Sequence, residues 1–180
     1  DPEDYGNLEA AIKRIENSDG QFIYVDISDG VYVNNFTNGI LDLKYIAKVT
    51  ILPIYLCLKV RNPFENIDVF LNVLRKGDVV FIYPDSEYQY SITLQKIIDA
   101  GLIPGIGLSE KNPVKVYSEV LNVVDKVLVE GVNRKSLIAK IEELHSIRKN
   151  RHFTTIVKMN EHEEGRIMAD EIIVRKSSIL

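Results

Sequence analysis

Asp26 and Asp29 close the run Phe22-Ile23-Tyr24-Val25-Asp26-Ile27-Ser28-Asp29-Gly30. β-Branched and aromatic residues bounded by Asp and Gly predict a buried strand that stops at Asp29-Gly30. Asp26 then sits at its carboxyl end, where parallel α/β folds place their chemistry. A carboxylate there suits general acid/base work, whereas Asp29 suits an Asx-turn into the loop. Cys57 is the only cysteine; a lone buried cysteine reads as a small hydrophobe or as a ligand or nucleophile. Tyr24 and Tyr83 read as core or pocket lining. His145, His152 and His162 fall on a helix and in loops, without the spacing of a metal site. Lys176 and Ser177 follow the last strand, where exposed amides, a hydroxyl and an ammonium suit a phosphate. The run Glu161-His162-Glu163-Glu164 reads as a solvated helix start.

The elements that must position these groups alternate along the chain. Helical spacing of Leu8, Ala11, Ile12 and Ile15 predicts a first helix over 1–18, capped by Asp4 or Asn7. Strands are predicted at 21–28, 54–60, 78–85, 102–109, 126–132, 154–159 and 171–179. Helices are predicted near 40–47, 63–76 (closed by Gly77), 88–100 (Leu94, Ile97 and Ile98 inward), 113–123, 135–149 and 162–169. The strands are nearly continuous apolar runs, as in sheets covered on both faces. Such βα alternation predicts one domain over 1–180, either an open doubly wound sheet or a closed barrel. About seven strands are legible and a barrel needs eight.

The 180 residues suffice for one real core; 46% are apolar and 27% charged, at a net charge of −4. That charge carries no footprint for nucleic acid or an anionic membrane, and no apolar run approaches a membrane span. One cysteine and no visible signal peptide give the expectation of a cytoplasmic protein.

In order and spacing, these segments resemble the ribulose-phosphate 3-epimerase family. The family's strand His-Val-Asp-(any)-Met-Asp-Gly is matched by Tyr24-Val25-Asp26-Ile27-Ser28-Asp29-Gly30. Its following Phe-Val-Pro-Asn loop is matched by Tyr32-Val33-Asn34-Asn35, with Gly39 after it. The next strand end, His-Leu-Met-Val, is matched by Cys57-Leu58-Lys59-Val60. Ala100-Gly101, Gly105-Ile106-Gly107-Leu108, Val127-Leu128-Val129, Val132-Asn133 and Ile172-Ile173-Val174-Arg175-Lys176-Ser177 follow in the family's order.

The resemblance implies a (β/α)8 TIM barrel of the ribulose-phosphate-binding type, with a first strand before Asp1 and a last helix after Leu180. It implies a phosphorylated sugar as partner, a homo-oligomer, and epimerisation at carbon 3 by two Asp. It also implies a divalent metal (Zn, Fe or Mn) held by two His and those two Asp. Here Asp26 matches one Asp. Tyr24 and Cys57 stand at the two His positions, and Lys158 at the second Asp. Pocket methionines become Ser28, Lys59 and Glu130, and Arg134-Lys135-Ser136 replaces the glycine-rich loop. By resemblance, then, Asp26 and Lys158 are the catalytic candidates, and Asn133, Lys176 and Ser177 the phosphate candidates. Asp26 and Cys57 are what remains of a metal set. A Lys facing Asp26 would supply some of the charge a metal supplies. The expectations are an epimerase-like enzyme with an altered mechanism, a non-catalytic sugar-phosphate-binding or regulatory homologue, or a structural dimer without ligand.

Overall fold

The computed structural model describes residues 5–18, 20–131, 133–148, 152–160 and 168–175. In chain order it contains α1 (Tyr5–Glu16), β1 (Ile23–Ser28), α2 (Ile40–Val49), β2 (Ile54–Lys59), α3 (Ile67–Leu71) and β3 (Val79–Ile82). Then come α4 (Tyr90–Asp99), β4 (Ile103–Leu108), β5 (Lys126–Val129), α5 (Arg134–Ile147), β6 (Thr154–Asn160) and β7 (Glu171–Arg175). The strands form one seven-stranded parallel sheet in the order β1 to β7. Every neighbouring pair is parallel, so a crossover connection joins each strand to the next.

The sheet curls on itself. Asp26 of β1 reaches Lys158 of β6, and Tyr55 of β2 reaches Glu171 of β7, although each pair is several strands apart in sheet order. Period-two alternation sends Ile23, Val25 and Ile27 to the helix side, where they join Leu43, Ile46, Leu56, Leu58 and Ile97 in the main core. The other face closes around Tyr55, Cys57, Val79, Phe81, Tyr83, Leu128, Ile156 and Ile173. This is a TIM-barrel-like α/β arrangement with an inside and an outside. Among the described residues, β1 and β7 do not pair with each other. No helix of the described residues is long and apolar enough to cross a membrane.

Several boundaries depart from the periodicity. The helix expected over 63–76 is a 3₁₀ turn at Pro63–Glu65 and then the short α3. Asn66, at φ −124°, breaks it, and Asp78 takes the Arg75 amide at 2.7 Å to start the turn into β3. Gly77, at φ +98°, belongs to that turn and caps no helix. The helix expected over 113–123 is two 3₁₀ turns, Val114–Tyr117 and Val120–Asn122, in a valine-rich stretch poor in helix propensity. Ile98 is exposed, and Thr93 takes the inward place beside Leu94 and Ile97. Asn7 lies inside α1 and cannot cap it; Asp4, most of 162–169 and the strand beyond Arg175 lie outside the described residues.

Candidate active site at the carboxyl mouth of the sheet

Asp26 is held from three sides. Its Oδ1 accepts the Tyr24 hydroxyl at 2.6 Å, and its Oδ2 accepts the Lys158 ammonium at 2.6 Å. Lys59 Nζ lies 3.4 Å from Oδ1. Alternation puts Tyr24 and Asp26 on one face of β1, Cys57 and Lys59 on the same face of β2, and Ile156 and Lys158 on that of β6. The backbone carbonyl of Asp26 accepts from Thr37 Oγ1 at 2.9 Å and Asn38 Nδ2 at 3.0 Å, which ties the strand end to the following loop.

The cluster continues across the mouth. Lys59 Nζ donates to Glu130 Oε1 at 2.6 Å, and the Tyr83 hydroxyl donates to Glu130 Oε2 at 2.6 Å. Tyr83 Oη lies 3.3 Å from Cys57 Sγ, and its ring fills the space that Gly107 leaves. A Cβ at Gly107 would lie 2.5 Å from that ring, so the glycine and the tyrosine require one another. Lys59 is thus an ammonium between two carboxylates, from β1 and from the end of β5, and Lys158 closes the run on the far side of Asp26. Two cations face two anions, as charges withdrawn from water must.

The electrostatics follow the geometry. Burial raises the Asp26 pKa, but the charges of Lys59 and Lys158 and the hydrogen bonds from Lys158 and Tyr24 outweigh it, and the net direction is down. Lys59 is moved up: burial disfavours its charge, but the surrounding acidic groups more than compensate. Burial, with the nearby Asp26 and Glu130, pushes the Cys57 thiol up to about 12. Burial and the same neighbours raise Tyr24 far above its ordinary value, so it stays a hydrogen-bond donor.

These residues do not fit the divalent metal that the resemblance implies. An ammonium cannot ligate, and Lys158, at a ligand position by resemblance, bonds Asp26 instead. Both Asp26 oxygens already serve cations and a phenol. Cys57 is fully buried, and its surroundings push the thiol up to about 12 and so disfavour the thiolate that a metal binds. Among the described residues, no three His, Cys, Asp or Glu side chains group as a metal site.

The structure therefore brings Asp26, Lys158 and Cys57 into one cluster. It places Asn133 apart from them, as the N-cap of α5, accepting from the Ser136 amide at 3.0 Å. Lys176 and Ser177 lie outside the described residues. Asp29 makes the expected Asx-turn, accepting from Val31 N at 2.8 Å and Tyr32 N at 2.9 Å, and it also takes Arg61 N at 2.6 Å. His145 is on α5 with its Nε2 buried and unpartnered among the described residues; His152 is exposed. Sequence reasoning left Lys59 and Glu130 as pocket lining and read Tyr24 and Tyr83 as core or pocket lining in preference to acid catalysts, without naming partners for their hydroxyls. The available signal was the period of two: a Lys two residues after Cys57 and a Glu two after Leu128 extend the interior face, where apolar residues are the rule.

The sequence pattern described as the Ribulose-phosphate 3 epimerase family matches residues 2–162. A protein named ribulose-phosphate 3-epimerase from Methanocaldococcus jannaschii is 31% identical over 130 residues, 72% of this chain and 53% of that protein. The one from Treponema pallidum is 32% identical over 130 residues, 72% of this chain and 59% of that protein. The chain spans between half and three-fifths of the length of these curated relatives. Among solved structures, tryptophan synthase from M. tuberculosis matches at a TM-score of 0.64 and 12% identity, over 94% of this chain and 76% of that one. The tryptophan synthase alpha subunit from Campylobacter jejuni matches at 0.63 and 13%, over 94% of this chain and 81% of that one. At such identity the structures speak to the fold alone. On the extent of the family match and the identity to its curated members, the chain belongs to the ribulose-phosphate 3-epimerase family.

Proposed function

We propose that the protein takes a phosphorylated ketose at the carboxyl mouth of its sheet and moves the proton on the carbon beside the carbonyl without a metal. The observation that carries this is the run Asp26–Lys59–Glu130, an ammonium held between two carboxylates. Removing a proton next to a carbonyl needs a carboxylate base, a group to return the proton, and positive charge for the enediolate. Asp26 serves as the base. Glu130, across Lys59, is the second acid/base group, and Lys59 and Lys158 supply the charge. The N-terminus of α5 beside Asn133, with Lys176 and Ser177, takes the phosphate.

The test is proton exchange: ribulose 5-phosphate in heavy water with a chelator present, following the carbon-3 hydrogen by NMR. The signal should fade with the wild type and persist with Asp26→Asn. Exchange that appears only when divalent metal is added would overturn the proposal.

A second reading, a binding homologue without chemistry, is favoured by one contact. By resemblance Lys158 and Asp26 stand where the family has its two Asp, and they touch at 2.6 Å, so no carbon fits between them while that contact lasts. No exchange, together with thermal stabilisation by the sugar phosphate, would select this reading.

A further inference from the structure

One ammonium suffices to stand between Asp26 and Glu130, yet the mouth holds two. They are not equivalent. Lys59 is pinned by a carboxylate on each side, and its side chain is 16% exposed. Lys158 has a single carboxylate partner, and its side chain is 28% exposed. Its Nζ lies 4.7 Å from the centroid of the Tyr24 ring, so one side of the amine faces an aromatic surface and another faces the acid. Asp26 in turn is oriented by the Tyr24 hydroxyl at 2.6 Å. A nucleophile within hydrogen-bond reach of an acid/base group, itself oriented by a third residue, is the arrangement of covalent catalysis. Lysine in such a place attacks carbonyl carbons once it has handed a proton to its acid/base partner.

We propose that Lys158 forms an imine with the keto carbon of the bound sugar phosphate, Asp26 shuttling the protons. The inference rests on the ketose reading above and adds how the carbonyl is activated. The Lys158 ammonium first gives a proton to Asp26. The freed amine attacks the carbonyl carbon; a C–N bond forms, and the carbonyl π pair goes to oxygen, which takes the proton from Asp26. The resulting carbinolamine nitrogen passes a second proton through Asp26 to the hydroxyl. That hydroxyl leaves as water while the nitrogen lone pair closes the C=N bond. The net change is ammonium plus ketone to iminium plus water, and hydrolysis reverses it. The iminium withdraws electrons from the adjacent carbon as a Lewis acid would, and Asp26, again ionised, takes the carbon-bound proton.

The experiment is reductive trapping. The protein is incubated with ribulose 5-phosphate, reduced with borohydride, digested and mapped by mass spectrometry, with thermal unfolding against the same sugar run in parallel. The expected result is one modified peptide, Lys158 carrying the mass of the sugar phosphate less one oxygen atom, at least tenfold above any other lysine. Lys158→Arg keeps the charge beside Asp26 and should abolish that adduct. Mapping on the wild type makes the result independent of whether a variant folds. Thermal stabilisation without an adduct at Lys158 overturns the imine and leaves the ketose reading standing. An adduct at Lys59, or one spread evenly over surface lysines, also overturns it. Neither stabilisation nor adduct overturns both.

Discussion

The two ends of the curled sheet's inner face use the same residue types in different proportions. At the amino end, Lys126 of β5 donates to Glu171 of β7, and the Tyr55 hydroxyl donates to the same carboxylate at 3.1 Å. Lys126 also lies 5.1 Å from the centroid of the Tyr55 ring, which stacks on Phe22 at 3.9 Å. One cation, one anion and one phenol satisfy each other there. At the carboxyl mouth, two cations, two anions and the hydroxyls of Tyr24 and Tyr83 form an open run, with one lysine held by a single carboxylate at its end. A closed set of charges plugs a barrel and ties strands together. An open run leaves a group free to trade its partner for a ligand. The amino end therefore reads as a stability device, and the mouth is where we propose the chemistry, in keeping with how parallel α/β barrels divide their ends.

The sharpest way to break this contrast is to remove one anion from the mouth. Asp26→Asn should lower carbon-3 proton exchange by roughly 10²- to 10⁴-fold, the usual worth of a general base. Glu171→Gln at the other end should leave the exchange rate within about twofold, both read by NMR in heavy water. Lys59→Met should come next. It leaves Asp26 and Glu130 facing each other without the intervening cation, a loss of about 1–3 kcal/mol after allowing for partial exposure. Urea unfolding would measure the loss. An unchanged midpoint would show that Lys59 is no keystone.

Much of this was legible in the sequence because it rested on periods. Alternating apolar runs predicted the parallel sheet, and Asp26 stood out as a carboxylate at a strand end. Asp29 was legible as a turn residue because its bonds are local. The polar run was legible only in part: the resemblance set Lys158 against Asp26, and the two do meet, whereas the link of Lys59 with Glu130 joins residues far apart in the chain that no pattern paired. Lys59 and Glu130 look like solvated strand-end charges until the curl of the sheet turns them towards each other. Tyr83 is buried among core residues, as expected, but the partner of its hydroxyl was not legible, because it finds Glu130 only where Gly107, on the neighbouring strand, leaves room for the ring. The helix over 63–76 failed differently, since its apolar spacing was right but Asn66 and the Asp78 carboxylate broke it locally.

That glycine sharpens the comparison from the side of packing. Gly107→Ala sets a methyl against the Tyr83 ring, and rings buried on both sides give way poorly. A cost of about 1–3 kcal/mol is expected, with Tyr83 pulled from Glu130. The amino end offers the counterpart: Lys126→Met should cost about 1–2 kcal/mol and leave sugar-phosphate binding unchanged. Binding lost in Lys126→Met but kept in Gly107→Ala would reverse the assignment of the two ends.

The smallest expected effect is in pH. The folded pKa of Asp26 is below its ordinary value of 3.8, so its ionised form stabilises the fold. That contribution is complete above the unfolded value and is lost as pH falls through the depressed folded value. The difference in stability between wild type and Asp26→Asn should therefore be flat from pH 7 to about 5 and shrink only below about pH 4. A difference that shrinks instead between pH 7 and 5 would mean that Asp26 titrates high. Its contacts with Lys59 and Lys158 would then not exist in solution, and the mouth would lose the charge pattern that sets it apart from the amino end.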